Sequence, residues 1–239
     1  MTFSLTVSDE VRALAPGFTH VTVEAHGLVG GPSTDASAAL LDDATRRLAV
    51  RLAGRAPHED PHMAAWRTAY SAFGAKPSRT RNSAEALARR ALTDAGLPRI
   101  NLLVDLYNAV SVAHLIPVGG EDIDRIEGGM RLVRARGDED FVTAAGGAET
   151  VEHPEPGEVV WRDDLGVTCR RWNWRQGPRT RLDEDTVSGI FLLESLAPMP
   201  VTEVRTAATE LAELLEKFSP GAEITLGGAT TGPGAPAAR

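Results

Sequence analysis

One stretch of this sequence is apolar enough to be buried and yet carries several polar side chains. Residues 99–122 read RINLLVDLYNAVSVAHLIPVGGED, and the polar members of the apolar part are Asn101, Asp105, Tyr107, Asn108 and Ser111. Burying an amide or a carboxylate without a partner costs about 1–3 kcal/mol. The stretch therefore predicts either a structural hydrogen-bond network or the wall of a functional site.

The bulk composition is that of an ordinary globular chain. The 239 residues are 42% hydrophobic and 24% charged, which is enough for one large domain or two small ones. No segment approaches the ~20 apolar residues that cross a bilayer, and the N-terminus has no signal-peptide pattern. The single cysteine, Cys169, excludes an intramolecular disulfide framework. We expect a cytoplasmic protein without a membrane contact.

The net charge of −8 disfavours a simple nucleic-acid binder, because an acidic body repels a polyanion. The basic residues are nevertheless concentrated in two segments. The first, residues 66–99, contains Arg67, Lys76, Arg79, Arg81, Arg89, Arg90 and Arg99; the second, residues 162–181, contains Arg162, Arg170, Arg171, Arg175, Arg179 and Arg181. If the segments meet in space they form one positive face, and if they do not they are separate solvated arginines.

The hydrophobic pattern predicts helices mixed with short strands. Helices are expected over 35–52, 61–73, from Ser83 to about residue 90, and over 202–218; strands are expected over 21–25, 100–104, 130–134, 159–162, 166–171 and 190–193. The sequence contains no repeat and no convincing linker. It therefore predicts an α+β fold, a single compact domain with mixed β-sheets flanked by helices.

Several short motifs resemble chemical sites only superficially. His58 and His62 have a metal-ligand spacing, but Pro61 breaks the helix that would align them, so a solvated loop without metal is expected. The paired glycines at 119–120, 128–129 and 146–147 lack the context of a phosphate or dinucleotide loop and predict turns. No cofactor is expected. Cys169, beside Arg170 and Arg171, is interpreted as a small buried thiol, with an activated nucleophile as the alternative.

The segment from Asp105 to Asn108 indicates a stronger candidate. If a strand ends at Val104, Asp105 becomes the N-cap of a helix and Asn108 lies near its first turn. The free N–H groups and partial positive charge of a helix N-terminus stabilise an oxyanion that develops on a carbonyl. The alternative is that Asp105 only caps the helix and Asn108 only satisfies a neighbouring loop. The residues alone favour neither interpretation.

Seven short segments carry a resemblance to a known family. The chain reads VDLYNAVS at 104–111, PVGGEDIDRIEGGMRLVRA at 117–135 and TVSGIFLLES at 186–195. These segments resemble the editing module of the phenylalanyl-tRNA synthetase beta subunit, formed by its paired third and fourth domains. With KPS, SAEALARR, PGE and CRRWNWR, the chain is still more similar to free-standing bacterial proteins built from this module. The resemblance covers about Trp66–Ser195 and includes no synthetase catalytic core.

The resemblance implies hydrolysis of the ester that joins a wrong amino acid to tRNA. By match of motifs, it implies Asn108 and Glu194 as catalytic residues; it implies a substrate pocket formed by Tyr107, Gly119, Arg170, Arg171, Trp172, Asn173 and Trp174. The family's histidine falls on Gly119 and its GVMGG loop falls near 170–174. The synthetase module is selective for tyrosine. These departures indicate that this protein removes a different amino acid, or a broader set of amino acids.

The expected mechanism positions a water and stabilises the oxyanion, without a strong base. Asn108 and the helix N-terminal amides hold the carbonyl oxygen, while Glu194 binds the amino group or orients water; its alternative role is a buried partner for an arginine. Trp172 and Trp174, on one face of a strand, stack on the terminal adenine or wall the pocket, or else pack in the core. Phosphate contacts of the tRNA partner are expected from Lys76, Arg79, Arg81, Arg89 and Arg90, with Arg170 and Arg171 as further candidates.

The resemblance also divides the chain. Residues 1–62 are expected to be a strand and helix extension packed on the core, 63–200 the editing-type tRNA-binding domain, 201–226 a C-terminal helix and strand, and 227–239 a disordered tail. Two rival functions remain open: a non-catalytic tRNA- or nucleotide-binding module, and a hydrolase or binder of small amino-acid derivatives.

Overall fold

Five of the six α-helices in the described residues begin at a residue whose side chain caps the helix, and the sixth begins after Pro200. The computed structural model describes residues 3–145 and 148–228, with helices α1 (Asp9–Leu14), α2 (Asp35–Leu52), α3 (Pro61–Ala72), α4 (Ser83–Ala91), α5 (Leu102–His114) and α6 (Val201–Phe218). The side chains of Thr34, Asp60 and Asn82 accept hydrogen bonds from the first-turn N–H groups of α2, α3 and α4. No helix in these described ranges is long and apolar enough to span a membrane.

The strands of the described residues form three sheets. The largest has the order β1 (Leu5–Val7), β4 (Met130–Arg134), β7 (Val159–Arg162), β8 (Val167–Arg170) and β9 (Arg175–Gln176), with β1 and β4 parallel. An antiparallel sheet has the order β11 (Glu223–Leu226), β2 (Thr19–His26), β10 (Ser188–Ser195) and β3 (Val118–Asp122). The strands β5 (Phe141–Ala145) and β6 (Ala148–Glu152) form a hairpin. The predicted α+β class, with mixed sheets flanked by helices, is confirmed.

Helix α5 lies between the two main apolar clusters. Its Leu103 and Leu106 pack with β2, β3, β10 and α6, whereas its Val112 packs with the aromatic cluster around Trp66 and Trp172. A helix that is buried on several sides places its polar residues either against internal partners or against a cavity. This central position explains why the polar residues of 99–122 interrupt an apolar run.

The predicted strand over 100–104 is wrong. Asn101 is the N-cap of α5, and its Oδ1 accepts the N–H of Val104 at 2.9 Å. A short apolar run that is buried on all sides has no periodicity that separates strand from helix. Asp105 is consequently not the cap: its carboxylate accepts bonds from the Ser37 hydroxyl at 2.7 Å and the Ile100 N–H at 3.1 Å.

The predicted strand over 166–171 ends one residue early, and the chain then turns. Arg171 and Trp172 have φ values of 46° and 67°, in the left-handed region, and the Trp174 N–H donates to the Arg170 carbonyl at 3.2 Å. Strand alternation therefore does not extend beyond Arg170, and the prediction that Trp172 and Trp174 share a strand face is wrong. The predicted tail beyond Gly228 lies outside the described residues.

Candidate functional site

A cavity of about 320 Å³ opens between α5, the sheet face of β3 and β10, and the turn that follows β8. It brings together seven of the predicted site residues, namely Tyr107, Asn108, Gly119, Trp172, Asn173, Trp174 and Glu194. These residues come from four separate segments of the chain. Seven of the predicted site residues thus line one cavity, whereas two residues expected in the pocket, Arg170 and Arg171, lie elsewhere.

Asn108 presents an unused amide to this cavity. Its residue is only 5% exposed, and its side chain makes no hydrogen bond to the described part of the chain. By contrast, Asp105 and Ser111 on the same helix have internal partners, since the Ser111 hydroxyl donates to the Ile116 carbonyl at 2.7 Å. A buried amide without a protein partner is costly unless a ligand or water satisfies it. The Asn108 amide therefore has hydrogen-bonding capacity that the described chain does not use.

The position of Asn108 differs from the sequence prediction in one respect. It lies in the second turn of α5, whose N-terminus is capped by Asn101. The Leu102 N–H, at the first position of the helix, donates to the Gly31 carbonyl at 2.9 Å. The predicted participation of the helix N-terminal amides is therefore wrong, and the Asn108 side chain acts without them.

Tyr107 borders Asn108 on the same helix and packs against Phe191 at a ring-centroid distance of 6.1 Å. Burial raises the pKa of its hydroxyl, so the phenol stays neutral and can donate a hydrogen bond. Within the described residues that hydroxyl has no hydrogen-bond partner. The cavity therefore has two adjacent polar groups from one helix that are available to a ligand.

Glu194 is a buried carboxylate held by neutral donors. Its Oε1 accepts the indole N–H groups of Trp161 and Trp172, each at 3.0 Å, and its Oε2 accepts the Asn173 amide at 2.9 Å. Burial raises the pKa of Glu194 to about 7, even though these hydrogen bonds lower it. No described lysine, arginine or histidine nitrogen lies within 4.0 Å of it, so the alternative role as partner for an arginine is wrong.

The two tryptophans of the CRRWNWR segment have different environments. Trp172 is fully buried and meets Trp66 edge-on at a centroid distance of 5.2 Å. Trp174 is half-buried at the cavity rim, with the Arg171 guanidinium 4.5 Å from its ring centroid. Trp172 therefore positions Glu194 and forms part of the cavity wall. Of the two rings, only that of Trp174 is exposed enough for a nucleobase to reach.

Asn173 connects the cavity to the aromatic core. Its Oδ1 accepts the Tyr70 hydroxyl at 2.7 Å while its Nδ2 donates to Glu194. Both of its polar atoms are thus occupied within the protein. Asn173 is a positioning residue for the Glu194 carboxylate, in contrast to the unpartnered amide of Asn108.

Gly119 leaves the middle of the cavity open. A Cβ built at this position meets no atom within 4 Å, and its backbone is not in the left-handed region. At the neighbouring Gly120 a Cβ would lie 2.7 Å from the Leu182 Cδ1. The absence of a side chain at Gly119 therefore enlarges the cavity. The backbone conformation at this position does not require glycine.

Glu121 is one of several cavity residues that were not predicted from the sequence, and it is the charged one that lies deepest in the fold. It is 4% exposed, and its Oε2 accepts the Gln176 amide at 2.6 Å. Burial raises the pKa of Glu121 to about 8, although Thr180, Gln176 and the charge of Arg179 lower it. The signal was present, because residues two apart on a strand share a face and Gly119 was already placed in the pocket.

Cys169 lines the same cavity but is not activated. Burial, followed by the nearby charges of Glu121 and Glu194, raises the pKa of its thiol. A reactive cysteine requires a lowered pKa. The interpretation as a buried thiol is supported over the nucleophile. Among the residues that the structure describes, no three His, Cys, Asp or Glu side chains form a metal-binding group.

His62, expected in a solvated loop with His58, is buried in α3. Its Nε2 accepts the indole N–H of Trp66 at 2.9 Å, and its Nδ1 lies 3.1 Å from the Leu115 carbonyl. Burial lowers its pKa to about 4, so the ring is neutral near pH 7. The prediction of a solvated loop is wrong for this histidine, which joins α3 to the C-terminal end of α5.

A basic surface borders the cavity. A depression beside it is lined by Arg79, Arg81, Arg89 and Arg90, and it shares Ala86 and Trp174 with the cavity. A second depression contains Lys76 and Arg79 together with Arg171, whose Nη1 donates to the Thr80 hydroxyl at 2.9 Å. The first basic segment therefore meets the Arg171–Trp174 part of the second. We use "basic surface" for Lys76, Arg79, Arg81, Arg89 and Arg90.

The other expected pocket arginines lie outside the cavity. Arg170 is buried, and its guanidinium donates to Glu158 at 2.8 and 3.0 Å and to Glu152 at 2.9 Å. Arg171 lines the second depression instead of the cavity and donates its backbone N–H to Glu158. A buried arginine that is fully paired is a structural element. The assignment of Arg170 and Arg171 to the substrate pocket is wrong.

No functionally curated protein matches this chain in sequence. Among solved structures, the chain is similar to an N-terminal fragment of the phenylalanyl-tRNA synthetase beta subunit from Pyrococcus horikoshii, with 12% identity and a TM-score of 0.46. The match covers 94% of this chain and 50% of that one, so the chain spans about half the length of its structural neighbour. The model of the B3/4 domain matches residues 65–220. The chain therefore belongs to the B3/4 domain family, which confirms the resemblance to the paired third and fourth domains of that beta subunit.

Proposed function

We propose that this protein is a trans-editing hydrolase, which cleaves the ester of a mischarged aminoacyl-tRNA. The observation that carries the proposal is the unpartnered amide of Asn108, 5% exposed in a 320 Å³ cavity. An amide N–H donor in a water-poor site stabilises an oxyanion more strongly than the same donor in bulk water. The aminoacyl carbonyl is the group that would receive it.

Glu194 supports the binding of an aminoacyl group in a defined direction. Its carboxylate is desolvated and has three neutral donors but no cation within 4.0 Å in the described residues. A buried charge is stabilised when an opposite charge pairs with it. The α-ammonium of an aminoacyl ester supplies that charge, so in this proposal Glu194 orients the amino end of the substrate.

The chemical step needs no strong base, since an aminoacyl ester is already activated. A water oxygen attacks the ester carbonyl carbon, and the Asn108 Nδ2 donates to the carbonyl oxygen as it becomes negative. The vicinal hydroxyl of the terminal ribose accepts the water proton and passes a proton to the departing ribose oxygen. The products are the free amino acid and uncharged tRNA. Loss of one oxyanion donor typically lowers kcat about 10²–10³-fold.

The basic surface supports tRNA as the carrier of the ester. Lys76, Arg79 and Arg89 are exposed and make no ion pair with the described acidic side chains. Unpaired cations beside the cavity mouth can neutralise phosphates of an acceptor stem despite the net charge of −8. Trp174, at the shared rim, offers a ring for stacking of the terminal adenine.

A non-catalytic tRNA- or nucleotide-binding module is the second candidate. The observation that favours it is the composition of the cavity wall, whose described lining contains no histidine. The same wall would bind an aminoacylated end without accelerating hydrolysis if water were not positioned. This candidate predicts binding of charged tRNA with no release of the amino acid.

The test is deacylation of a panel of tRNAs, each charged with one L- or D-amino acid. We expect release confined to some amino acids by the wild type, and loss of that release in Asn108→Ala and in Asn108→Asp, which retains size but removes the donor. Arg205→Ala, an exposed change on α6, serves as the control. If no charged tRNA is hydrolysed above the spontaneous rate, the proposal is wrong; binding without release would then favour the second candidate.

A further inference from the structure

Two buried carboxylates lie at opposite ends of one face of the cavity. In the antiparallel pairing of β3 with β10, Gly119 is opposite Leu192 and Val118 is opposite Leu193, and the Glu194 N–H donates to the Pro117 carbonyl at 3.0 Å. Glu194 is therefore level with Pro117, while Glu121 lies four residues further along β3. Residues 119 and 121 share a strand face, as do 192 and 194.

Neither carboxylate forms an ion pair with a cation of the described residues, although the more distant charge of Arg179 acts on Glu121. Glu121 is 4% exposed and Glu194 is 2% exposed, and both line the cavity. Glu121 accepts its side-chain hydrogen bond from the neutral amide of Gln176. Within the described residues no Lys, Arg or His nitrogen lies within 4.0 Å of either group. The cavity lining also contains Arg175, whose guanidinium pairs with Glu152 at 3.3 Å. Two desolvated acids that lack such a pair favour a ligand with two positive groups.

The space between the two acids is open. Gly119 lies between them on the same face, and a Cβ there would meet nothing within 4 Å. The apolar lining includes Val104 from α5 and Leu192, which lies beside Gly119 on the same sheet face as the two acids. An unbranched aliphatic chain fits such a channel because it buries methylene groups while its polar ends reach the carboxylates.

The strand register gives an approximate length for the ligand. Four residues of strand span about 13 Å, and strand side chains stand roughly perpendicular to the sheet. Two charge-assisted hydrogen bonds of about 2.8 Å each leave about 7 Å between the ligand nitrogens. The extended six-bond path from the α-nitrogen to the ε-nitrogen of lysine has about this length.

We infer that the site selects aminoacyl groups whose side chain ends in a cation, of the lysine type, with the α-ammonium at Glu194 and the side-chain ammonium at Glu121. This inference rests on the proposed function, because it assigns the amino acid that the proposed hydrolase removes. Glu121 is in this view a specificity-determining residue, distinct from Asn108, which acts on the carbonyl. Gly119 provides the room for the aliphatic stem.

The preference for a cationic side chain should depend on pH. Burial raises the pKa of Glu121 to about 8, whereas a lysine ammonium stays charged to about pH 10. Pairing with a cation requires the ionised carboxylate, so binding below pH 8 includes the work of deprotonating Glu121. The preference for a cationic side chain therefore increases as the pH rises towards 8 and levels off above it. Glu194 binds the α-ammonium of cationic and neutral aminoacyl groups alike, so its ionisation does not change the ratio of their affinities.

The test is calorimetric binding of two non-hydrolysable probes to the full chain. The probes are 3′-amino-3′-deoxyadenosine carrying lysine or norleucine in amide linkage, which differ only by the ε-amino group. We expect the lysyl probe to bind at least tenfold more tightly at pH 8.5, with a smaller ratio at pH 6.5. Glu121→Gln should bring the ratio at pH 8.5 close to one. Gly119→Leu, which fills the channel, should weaken both probes.

The outcomes separate this inference from the proposed function. If both probes bind with equal affinity, or the ratio survives in Glu121→Gln, the inference is wrong while the hydrolase can still act on other amino acids. If neither probe binds and no charged tRNA is deacylated, both are wrong. Should Glu121→Gln not fold, the wild-type pH series decides, since a ratio that does not rise between pH 6.5 and pH 8.5 overturns the role of Glu121.

Discussion

The indole N–H of Trp172 donates to Oε1 of Glu194 at 3.0 Å, so the most buried tryptophan of the CRRWNWR segment holds the acidic residue of the cavity. Trp161 donates to the same oxygen from β7 at 3.0 Å. Both lone pairs of Oε1 are thereby occupied, and Oε2 has one donor, the amide of Asn173. The site thus retains acceptor capacity on Oε2, which we assign to a substrate cation.

We expect Trp172→Phe to destabilise the protein and to raise the pKa of Glu194 further. The change keeps the aromatic packing against Trp66 but removes a donor to a buried carboxylate, a loss of about 1–3 kcal/mol. Denaturant unfolding measures the first effect and the pH profile of deacylation the second. Trp161→Phe removes the equivalent donor and should behave alike; opposite effects of the two variants would contradict this account.

Asn108→Ala and Asn173→Ala should separate function from stability. Asn108 has no partner in the described chain, so its loss should lower deacylation about 10²–10³-fold with little change in the free energy of unfolding. Asn173 bonds to Tyr70 and Glu194, so its loss should destabilise the fold by about 1–3 kcal/mol. Single-turnover deacylation and urea unfolding check the pair. A strongly destabilised Asn108→Ala would show that the amide has a structural role.

The unfolding free energy should decrease between about pH 6.5 and pH 8. The pKa values of Glu194 and Glu121 are raised to about 7 and about 8, so the folded state binds protons that the unfolded state has lost above about pH 4.5. Stability from a raised carboxyl pKa is lost as pH rises through the folded value. Below pH 6.5 this trend is opposed by His20 and His62, whose pKa values are lowered to about 4.

Denaturant titrations at pH 6.5 and pH 8 check this decrease. Glu121→Gln should remove the part of the decrease in unfolding free energy that comes from Glu121, which is on the order of 1–2 kcal/mol over this interval. An exposed glutamate such as Glu203, changed to Gln, should leave the slope as it is. A wild-type protein whose stability rises between these pH values would contradict the buried, uncompensated state of the two acids.

Gly119→Leu and Gly120→Ala should have opposite consequences. At Gly119 a side chain enters open space, so we expect unchanged stability with loss of aminoacyl-adenosine binding. At Gly120 the Cβ would be 2.7 Å from Leu182, and such overpacking typically costs about 1–3 kcal/mol. Thermal unfolding and binding calorimetry distinguish the two. Retained binding in Gly119→Leu would place the ligand outside this cavity.

The basic surface should act through phosphates. Arg89→Ala should weaken tRNA binding at low salt and reduce the slope of log K against log salt by roughly one unit. Arg205→Ala, another exposed arginine on a helix, should change neither quantity. Filter binding of one tRNA across a salt series provides the comparison. Equal effects of both variants would indicate nonspecific attraction instead of a bordering tRNA site.

Local signals in the sequence predicted most elements, and the resemblance to a family predicted many of the residues that line the cavity. The helices over α2, α3, α4 and α6 follow from apolar spacing and nearby caps such as Thr34 and Asp60, which act within one helical turn. The polar interruptions of residues 99–122 predicted a hydrogen-bond network or the wall of a site; the structure shows such a network and the wall of a cavity. Both occur: Asp105 and Ser111 have internal partners, and Tyr107 and Asn108 face the cavity.

Tertiary structure alone decided the features that depend on residues far apart in the chain. The buried run at 100–104 is helical because α5 packs between two apolar clusters, and a run buried on several sides has no period of its own. Whether Trp172 or Trp174 reaches the cavity rim depends on the left-handed turn after Arg170, which strand alternation does not describe.

Glu194 and Glu121 show the same difference between what could be predicted from the sequence and what required the fold. Glu194 could be identified from the sequence, because its motif TVSGIFLLES consists of neighbouring residues. The position of Glu121 on the same cavity face, and the pairing of Arg170 with Glu158, became apparent only in the folded chain. The physical reason is that strand register and burial set which charges are desolvated together, and both arise from contacts between distant segments.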